Sequence, residues 1–162
     1  MAFRRDSKVK KQRGFSLIEL LIVVAILLVI AAIAIPSFLR SKIAANEASA
    51  VGSLRSLNTA CVSYNTSYGQ FPAALTSLGP IPAGGMPSST SADLIDSVLS
   101  AGTKSGYIFV YTPGTSNQSY SITAAPISVG QSGQRMFFTD QSDVIRADTS
   151  GVGASAASTP IG

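Results

Sequence analysis

The sequence predicts an α+β fold, in which a long N-terminal helix packs its second half against a C-terminal antiparallel sheet. One observation is a helical pattern that continues from residue 15 to about residue 68. The other is a set of short β-branched and aromatic runs, separated by Pro, Gly, Asn and Asp, in the last third of the chain. At 1.5 Å per residue the helix is roughly 80 Å long, far longer than a small globular domain is wide. Its first half therefore extends beyond the domain and must be buried against lipid or other chains.

The first fourteen residues differ in charge from the rest of the chain. They hold six of the twelve basic side chains and one of the eight acidic ones, a net charge of +5, so the remainder carries −1. Outside this segment only Arg40, Lys42 and Arg55 lie near one another in the sequence. A general nucleic-acid surface needs clustered cations, so we predict no general nucleic-acid binding.

An apolar run follows, unbroken over residues 20–35 and, with its flanks, long enough to span a bilayer. Glu19 is the only charged residue between Phe15 and Arg40. A carboxylate in hydrocarbon costs about 2.5 to 3.5 kcal/mol on insertion scales, so a function and a partner are expected for it. Alternatively, Glu19 simply reaches the headgroup region from the end of the helix.

Residues 10–21, with the sequence KKQRGFSLIELL, resemble the class III signal sequence of type IV pilins and type II secretion pseudopilins. The resemblance implies that a prepilin peptidase removes residues 1–14 as a leader, by cutting between Gly14 and Phe15. It implies that the same enzyme methylates the new N-terminal nitrogen of Phe15, and that Glu19 guides assembly. The Phe15 ammonium of an incoming subunit then pairs with Glu19 of its neighbour, which offsets the cost of desolvating both charges.

The resemblance also implies a pilin-like fold and a structural role. The predicted function is a subunit of a type IV pilus, and the alternative is the major pseudopilin of a type II secretion system. The implied partners are further copies of the chain in a helical homopolymer, the prepilin peptidase and methyltransferase, an inner-membrane assembly platform with its ATPase, and the membrane before assembly.

The basic leader also predicts the topology, because Lys and Arg beside a membrane helix stay on the cytoplasmic side. We therefore expect a single-pass precursor in the inner membrane, with its leader in the cytoplasm and its C-terminal domain outside. The chain then enters an extracellular or periplasmic filament.

An ordinary secretory signal is a second alternative. Ala32 and Ala34 match the small-residue pattern of a signal-peptidase site after an apolar core, and cleavage there would release a soluble domain. Against this interpretation, the apolar run is longer than the usual core of such a signal and contains Glu19. The N-terminus of the mature chain distinguishes the two.

The apolar period of the helix changes after Pro36. Proline removes a backbone hydrogen bond and bends a helix axis, so a kink is predicted at Pro36; the family resemblance implies local melting on assembly as the alternative. Residues 15–39 are the expected transmembrane and polymerisation half-helix, and residues 40–148 the globular domain. Beyond Pro36 one stripe with 4-3 spacing is predicted to face the sheet. The stripe consists of Ile43, Glu47, Ala50, Leu54, Leu57, Cys61, Tyr64 and Tyr68.

Gly69 is predicted to end the helix, because glycine just past the last periodic residue is a C-cap signal. A brief second helix is expected over residues 92–100, with Ser91 or Asp93 as its cap. Residues 149–162 are predicted to be a flexible tail. A four-stranded antiparallel meander is predicted over residues 107–112, 120–124, 136–139 and 144–146.

Catalytic chemistry has little support in the sequence. The chain has no histidine, and its single cysteine, Cys61, lies on the apolar stripe, where a buried thiol is expected. No glycine-rich loop follows a predicted strand, as a phosphate site would require. We predict neither an enzyme nor a cofactor.

Three aspartates surround the last predicted turn, namely Asp140, Asp143 and Asp148. Calcium prefers such oxygen ligands, and a calcium site at these residues is one hypothesis. Aspartate is also common in turns because its side chain bonds the nearby backbone, which is the other hypothesis. No metal site is predicted elsewhere.

Overall fold

The computed structural model describes residues 14–150 and 153–161 of the chain. The chain divides into two compact units, with the boundary between Phe38 and Leu39. One helix, α1, runs from Leu17 to Tyr68 and contributes to both units. An antiparallel sheet follows it, so the predicted α+β class is confirmed. Apart from Gly14, the predicted leader lies outside the described residues.

The first half of α1 is apolar all round and uncovered. It is long and apolar enough to cross a membrane, and no residue of its most apolar stretch is buried. A helix that is apolar on every side needs apolar surroundings on every side. Pro36 lies inside α1, which continues through it, and the kink at Pro36 stays a prediction.

The second half of α1 buries the predicted stripe. Six of the eight stripe residues are buried, and the other two, Ile43 and Tyr68, are partly buried. Ser53, Asn58 and Ala60 are buried as well. The covered face is therefore wider than the stripe and includes two polar side chains.

Gly69 ends α1 as predicted. Its φ of 74° lies in the left-handed region, which glycine enters without strain. Its amide donates a hydrogen bond to the Asn65 carbonyl at 2.8 Å, which closes the last turn. A short 3₁₀ turn follows at Leu75–Leu78.

The second helix, α2, spans only Ser97–Ser100, so the helix predicted over residues 92–100 is wrong over most of its length. The amides of residues 92–95 donate to carbonyls of residues 77–79. Because these contacts lie far apart in sequence, the local helical pattern did not reveal them.

The cap of α2 also differs from the prediction. Asp96 accepts a hydrogen bond from the Leu99 amide at 2.8 Å, so Asp96 is the N-cap in place of Ser91 or Asp93. The other carboxylate oxygen of Asp96 lies 2.8 Å from Nζ of Lys104. Asp96 therefore both starts α2 and fastens it to the first strand of the sheet.

Within the described residues, the sheet has six antiparallel strands that neighbour one another in chain order. They are β1 Thr103–Lys104, β2 Tyr107–Pro113, β3 Tyr120–Pro126, β4 Met136–Asp140, β5 Arg146–Asp148 and β6 Thr159–Pro160. The predicted meander is confirmed for β2 to β5, although β5 begins at residue 146 instead of 144. The two outer strands were not predicted, because two residues carry no alternating pattern.

The core lies between the sheet and the buried face of α1. Side chains alternate along β2, β3 and β4, so every second one is buried. Phe109, Ala124 and Phe137 are neighbours across three strands and form one buried row. The sheet contributes Tyr107, Phe109, Tyr120, Ile122, Ala124 and Phe137 to the core.

The prediction of a flexible tail over residues 149–162 is wrong at its far end. Thr159–Pro160 form β6, which pairs with β5. Ile161 packs against the core, and its amide donates to the Ile145 carbonyl at 2.9 Å. One apolar side chain thus anchors a segment whose small and polar composition resembles that of a tail.

Candidate processing and assembly site

Gly14, Phe15 and Ser16 precede α1 without regular secondary structure, and all three are exposed. A Cβ atom added to Gly14 would meet no heavy atom of the described residues within 4 Å. The folded chain therefore does not require glycine at position 14. A requirement for a small residue there would come from another molecule, as at a cleavage site.

Glu19 lies in the first turn of α1 and is exposed. The carbonyl of Ser16 accepts hydrogen bonds from the amides of Glu19 and Leu20 at 3.1 and 3.2 Å. An acidic side chain is favourable in this turn because the helix dipole is positive there. In the part of the chain that the structure describes, Glu19 has no ion-pair partner. An unpaired carboxylate is costly wherever water is excluded.

The surface around Glu19 is apolar. All seventeen large apolar side chains from Phe15 to Leu39 are at least 40% exposed. A cleft of about 270 Å³ on this surface is lined by Ala25, Ile26, Val29 and Ile30. These residues recur at helical spacing, so the cleft suits the side chains of another helix. Soluble monomers rarely expose so large an apolar area, and exposed apolar surfaces of this kind mark sites of contact with protein or membrane.

Comparisons with known proteins bear on this segment. Residues 9–35 match the family model described as the prokaryotic N-terminal methylation motif. The chain is also 46% identical over 54 residues to the type IV major pilin protein PilA of Myxococcus xanthus (strain DK1622). The chain is therefore similar to a type IV pilin over part of its length. The aligned residues make up 33% of the chain and 24% of that relative. No solved structure matches the chain significantly.

The methylation motif spans Gly14, Phe15 and Glu19. The resemblance to the type IV pilin and pseudopilin family is thereby confirmed. The apolar helix and the motif are consistent with a membrane-anchored precursor and a pilus filament. The motif is equally compatible with a pseudopilin.

The three aspartates proposed as calcium ligands are not brought together in the structure. Among the residues that the structure describes, no three His, Cys, Asp or Glu side chains are grouped so that they could hold a metal ion. Asp140 and Asp148 accept hydrogen bonds within their own turns. Asp143 accepts one from Asn58 at 2.6 Å. The structure therefore favours the turn hypothesis over the calcium hypothesis.

Glu47 has a polar role that its place on the stripe did not indicate. Its Oε1 accepts hydrogen bonds from the amides of Gln134 and Arg135 at 2.9 and 3.1 Å, and its Oε2 accepts one from Nε of Arg135 at 2.8 Å. Burial raises the pKa of Glu47, but the hydrogen bonds and the charge of Arg135 outweigh burial and lower the pKa overall. Asn46 adds a hydrogen bond to the Ser132 carbonyl at 2.8 Å. Two adjacent residues thus hold the β3–β4 connection on α1.

Asn58 forms the second polar anchor and is 1% exposed. Its Nδ2 donates to Oγ1 of Thr139 at 2.8 Å and to Oδ1 of Asp143 at 2.6 Å, and its Oδ1 accepts from the Tyr120 hydroxyl at 3.1 Å. These partners lie on β3, on β4 and just after β4. Because every donor and acceptor must be met in a buried network, Asn58 restricts α1 to one register against the sheet. The only sequence signal was a polar residue beside the stripe.

Proposed function

We propose that the chain is the structural subunit of a type IV pilus. The observation that carries the proposal is the uncovered apolar half of α1, which begins directly after Gly14 and Phe15 in a methylation motif and has Glu19 as its one charged residue. Lipid covers this half before assembly, and the same half of other copies covers it in the filament. Apolar burial is proportional to area, so this surface supplies the main driving force for assembly.

Processing makes the helix ready for assembly. Prepilin peptidase cuts between Gly14 and Phe15 and removes a leader with a net charge of +5. The same enzyme methylates the nitrogen of Phe15. An uncut leader would bring this charge into the apolar interior of the filament, where it has no partner. Uncut chains therefore remain in the membrane.

Glu19 directs each subunit to its place. The ammonium of Phe15 in an incoming copy pairs with the carboxylate of Glu19 in a copy already assembled. Either charge alone is costly in an apolar medium, and pairing offsets much of that cost. Because a one-residue slip of the helix leaves both charges unpaired, the pair also sets the axial position of the incoming subunit.

The precursor crosses the inner membrane once, with its leader in the cytoplasm. Residues 15–39 are the transmembrane and polymerisation half-helix, and residues 40–148 form the globular domain outside. An assembly platform and its ATPase, which other genes encode, extract the subunit into the filament. The chain acts as a substrate of these machines and of the peptidase, and it catalyses no reaction itself.

Similarity to a major pilin favours a pilus over a type II secretion pseudopilus. The two assignments share the motif and the helix, so they differ in where the filament lies. Long fibres sheared from intact cells support the pilus. A filament confined to the periplasm supports the pseudopilus.

The test is to compare the wild-type chain with Glu19→Ala and Glu19→Gln in the native host. Both variants are expected to be cut and methylated at Phe15, shown by intact mass, and to leave sheared fibres at least about tenfold reduced, since the lost charge leaves the ammonium unpaired. Asp93→Ala is the matched control, because Asp93 is an exposed carboxylate outside the apolar half.

Two outcomes contradict the proposal. Normal fibres from Glu19→Ala would exclude the charge pair. A mature chain that begins just after Ala34 would support the secretory alternative and exclude a pilin altogether.

A further inference from the structure

The charges of the globular unit are sorted by sign. Among the described residues, the ion pairs are Asp96 with Lys104 and Glu47 with Arg135. Between residues 39 and 161, four cations and four anions have no ion-pair partner. The cations are Arg40, Lys42, Arg55 and Arg146, and the anions are Asp93, Asp140, Asp143 and Asp148. Three of the cations lie on α1, and every anion lies beyond it. Because the unpaired cations and anions are equal in number, the cations of one copy can each be matched by an anion of a second copy.

Two of the four cations line grooves. Lys42 lines one of about 410 Å³, and Arg55 lines two, of about 620 and 390 Å³. Thr59, Asp143, Ile145 and Ile161 line the larger Arg55 groove, so it offers both polar and apolar groups. The Arg55 side chain makes no hydrogen bond or ion pair within the described parts of the chain. Its guanidinium is therefore available to a carboxylate of another molecule.

Asp148 lies at the opposite end of β5. The groove is formed where β5 begins and β6 ends, whereas Asp148 ends β5 and pairs with Met136 at the start of β4. β5 is three residues long, so Asp148 lies about 7 Å along the strand from Arg146, where the strand begins. One copy therefore presents the cation at one end of its sheet and this anion at the other.

Asp148 is also held in place as an anion. Its carboxylate accepts hydrogen bonds from the hydroxyl and amide of Ser150 at 2.8 and 3.1 Å, and from the Gly153 amide at 3.3 Å. These bonds lower its pKa, so it is ionised at neutral pH. The other three anions are poorer candidates for a contact with Arg55 of a second copy, because they lie near the Arg55 grooves of their own copy. Asp140 and Asp143 lie at the end of the sheet that carries the larger groove, and Asp93 is next to Leu94, which lines the smaller one.

We propose that Arg55 of one copy binds the carboxylate of Asp148 of a second copy in the filament. Such a contact joins two different surfaces, and contacts of this kind generate open helical polymers. The inference rests on the proposed function, because it needs a homopolymer. It adds the surface through which neighbouring globular domains recognise each other, which is distinct from the apolar half of α1 and from Glu19.

Cysteine cross-linking tests the contact directly. Arg55→Cys and Asp148→Cys are made in separate chains and co-expressed, and the sheared fibres are oxidised mildly. We expect disulfide-linked dimers that contain one chain of each kind, resolved by mass. Native Cys61 is buried and can stay in place. The matched control replaces Arg55→Cys with Lys104→Cys, an exposed cation on β1, and is expected to give no dimer.

Charge reversal supplies a second measurement. Arg55→Glu and Asp148→Lys should each reduce sheared fibres at least about tenfold, and the double variant should restore them to within about twofold, because like charges face each other only in the single variants. Wild-type fibres without mixed dimers and without rescue would overturn the contact and leave the proposed function intact. Absence of fibres from the wild-type chain would overturn the proposed function itself.

Discussion

Nε of Arg135 lies 2.8 Å from Oε2 of Glu47, and this ion pair joins α1 to the chain just before β4. The Glu47 side chain is 9% exposed and the Arg135 side chain 41% exposed, so the pair is shielded on one side only. Arg135 also lies over the Phe137 ring, 5.4 Å from its centroid. The contact therefore connects a polar anchor on the helix with the aromatic core of the sheet.

Glu47→Gln should destabilise the mature chain by about 2 kcal/mol, because it removes a charged acceptor from three hydrogen bonds. The pKa of Glu47 is lowered in the folded state, so its contribution is fully present above the unfolded pKa and is lost as pH falls through the folded pKa. Thermal melts in detergent between about pH 6 and pH 3 should show a steeper loss of stability for the wild type than for Glu47→Gln. If the melting temperatures of the two chains fall in parallel with pH, Glu47 is not the group responsible for the acid loss of stability.

Asn58→Ala should destabilise the chain by about 2 to 3 kcal/mol, because Thr139, Asp143 and Tyr120 all lose a partner and two of these side chains are buried. Thr59→Ala is the matched control. Thr59 is exposed, and its hydroxyl bonds only to the Arg55 carbonyl within the helix. Chemical denaturation gives the free energy of unfolding of both variants. Equal losses of stability in Asn58→Ala and Thr59→Ala would contradict the network at Asn58.

Cys61 should resist alkylation in the folded chain. It is 0% exposed, and burial raises the pKa of its thiol to about 12, so little reactive thiolate exists at pH 8. Treatment with iodoacetamide followed by intact mass should show an unmodified chain under native conditions and full modification in denaturant. Rapid native labelling would mean that this part of the core opens.

Gly14→Val should leave the precursor uncut in the membrane, whereas Gly14→Ala should be cut at a measurable rate. A side chain at position 14 meets no atom of the folded chain, so both effects arise in the peptidase and not from misfolding. Immunoblots of membrane fractions distinguish precursor from mature chain. Equal stability of the globular domain in both variants serves as the control, and normal cleavage of Gly14→Val would contradict the proposed site.

The features that follow a repeating local pattern were predictable. The 4-3 spacing identified the buried face of α1 from Glu47 to Tyr64, and alternating residues identified β2 to β4. The exposed apolar half could be located because its apolar run is unbroken over residues 20–35, and Glu19 because it is the only charged residue between Phe15 and Arg40. These signals come from helix and strand geometry, which depends on neighbours in sequence.

The unpredicted features depend on contacts between distant parts of the chain. Asp96 was not identified as a cap, because residues 92–95 follow their hydrogen bonds to residues 77–79 instead of a helical pattern. The partners of Glu47 and Asn58 lie more than eighty residues away, except for Tyr120. β6 is held by its pairing with β5 and by Ile161, which packs against the core. No sequence period encodes such contacts.

Both outermost strands of the sheet are only two residues long, Thr103–Lys104 and Thr159–Pro160. A proline has no N–H to offer a new strand, and a lysine resists burial beside one. In the filament proposed above, where identical domains lie close together, the sheet edges thus offer little template for amyloid-like pairing between copies.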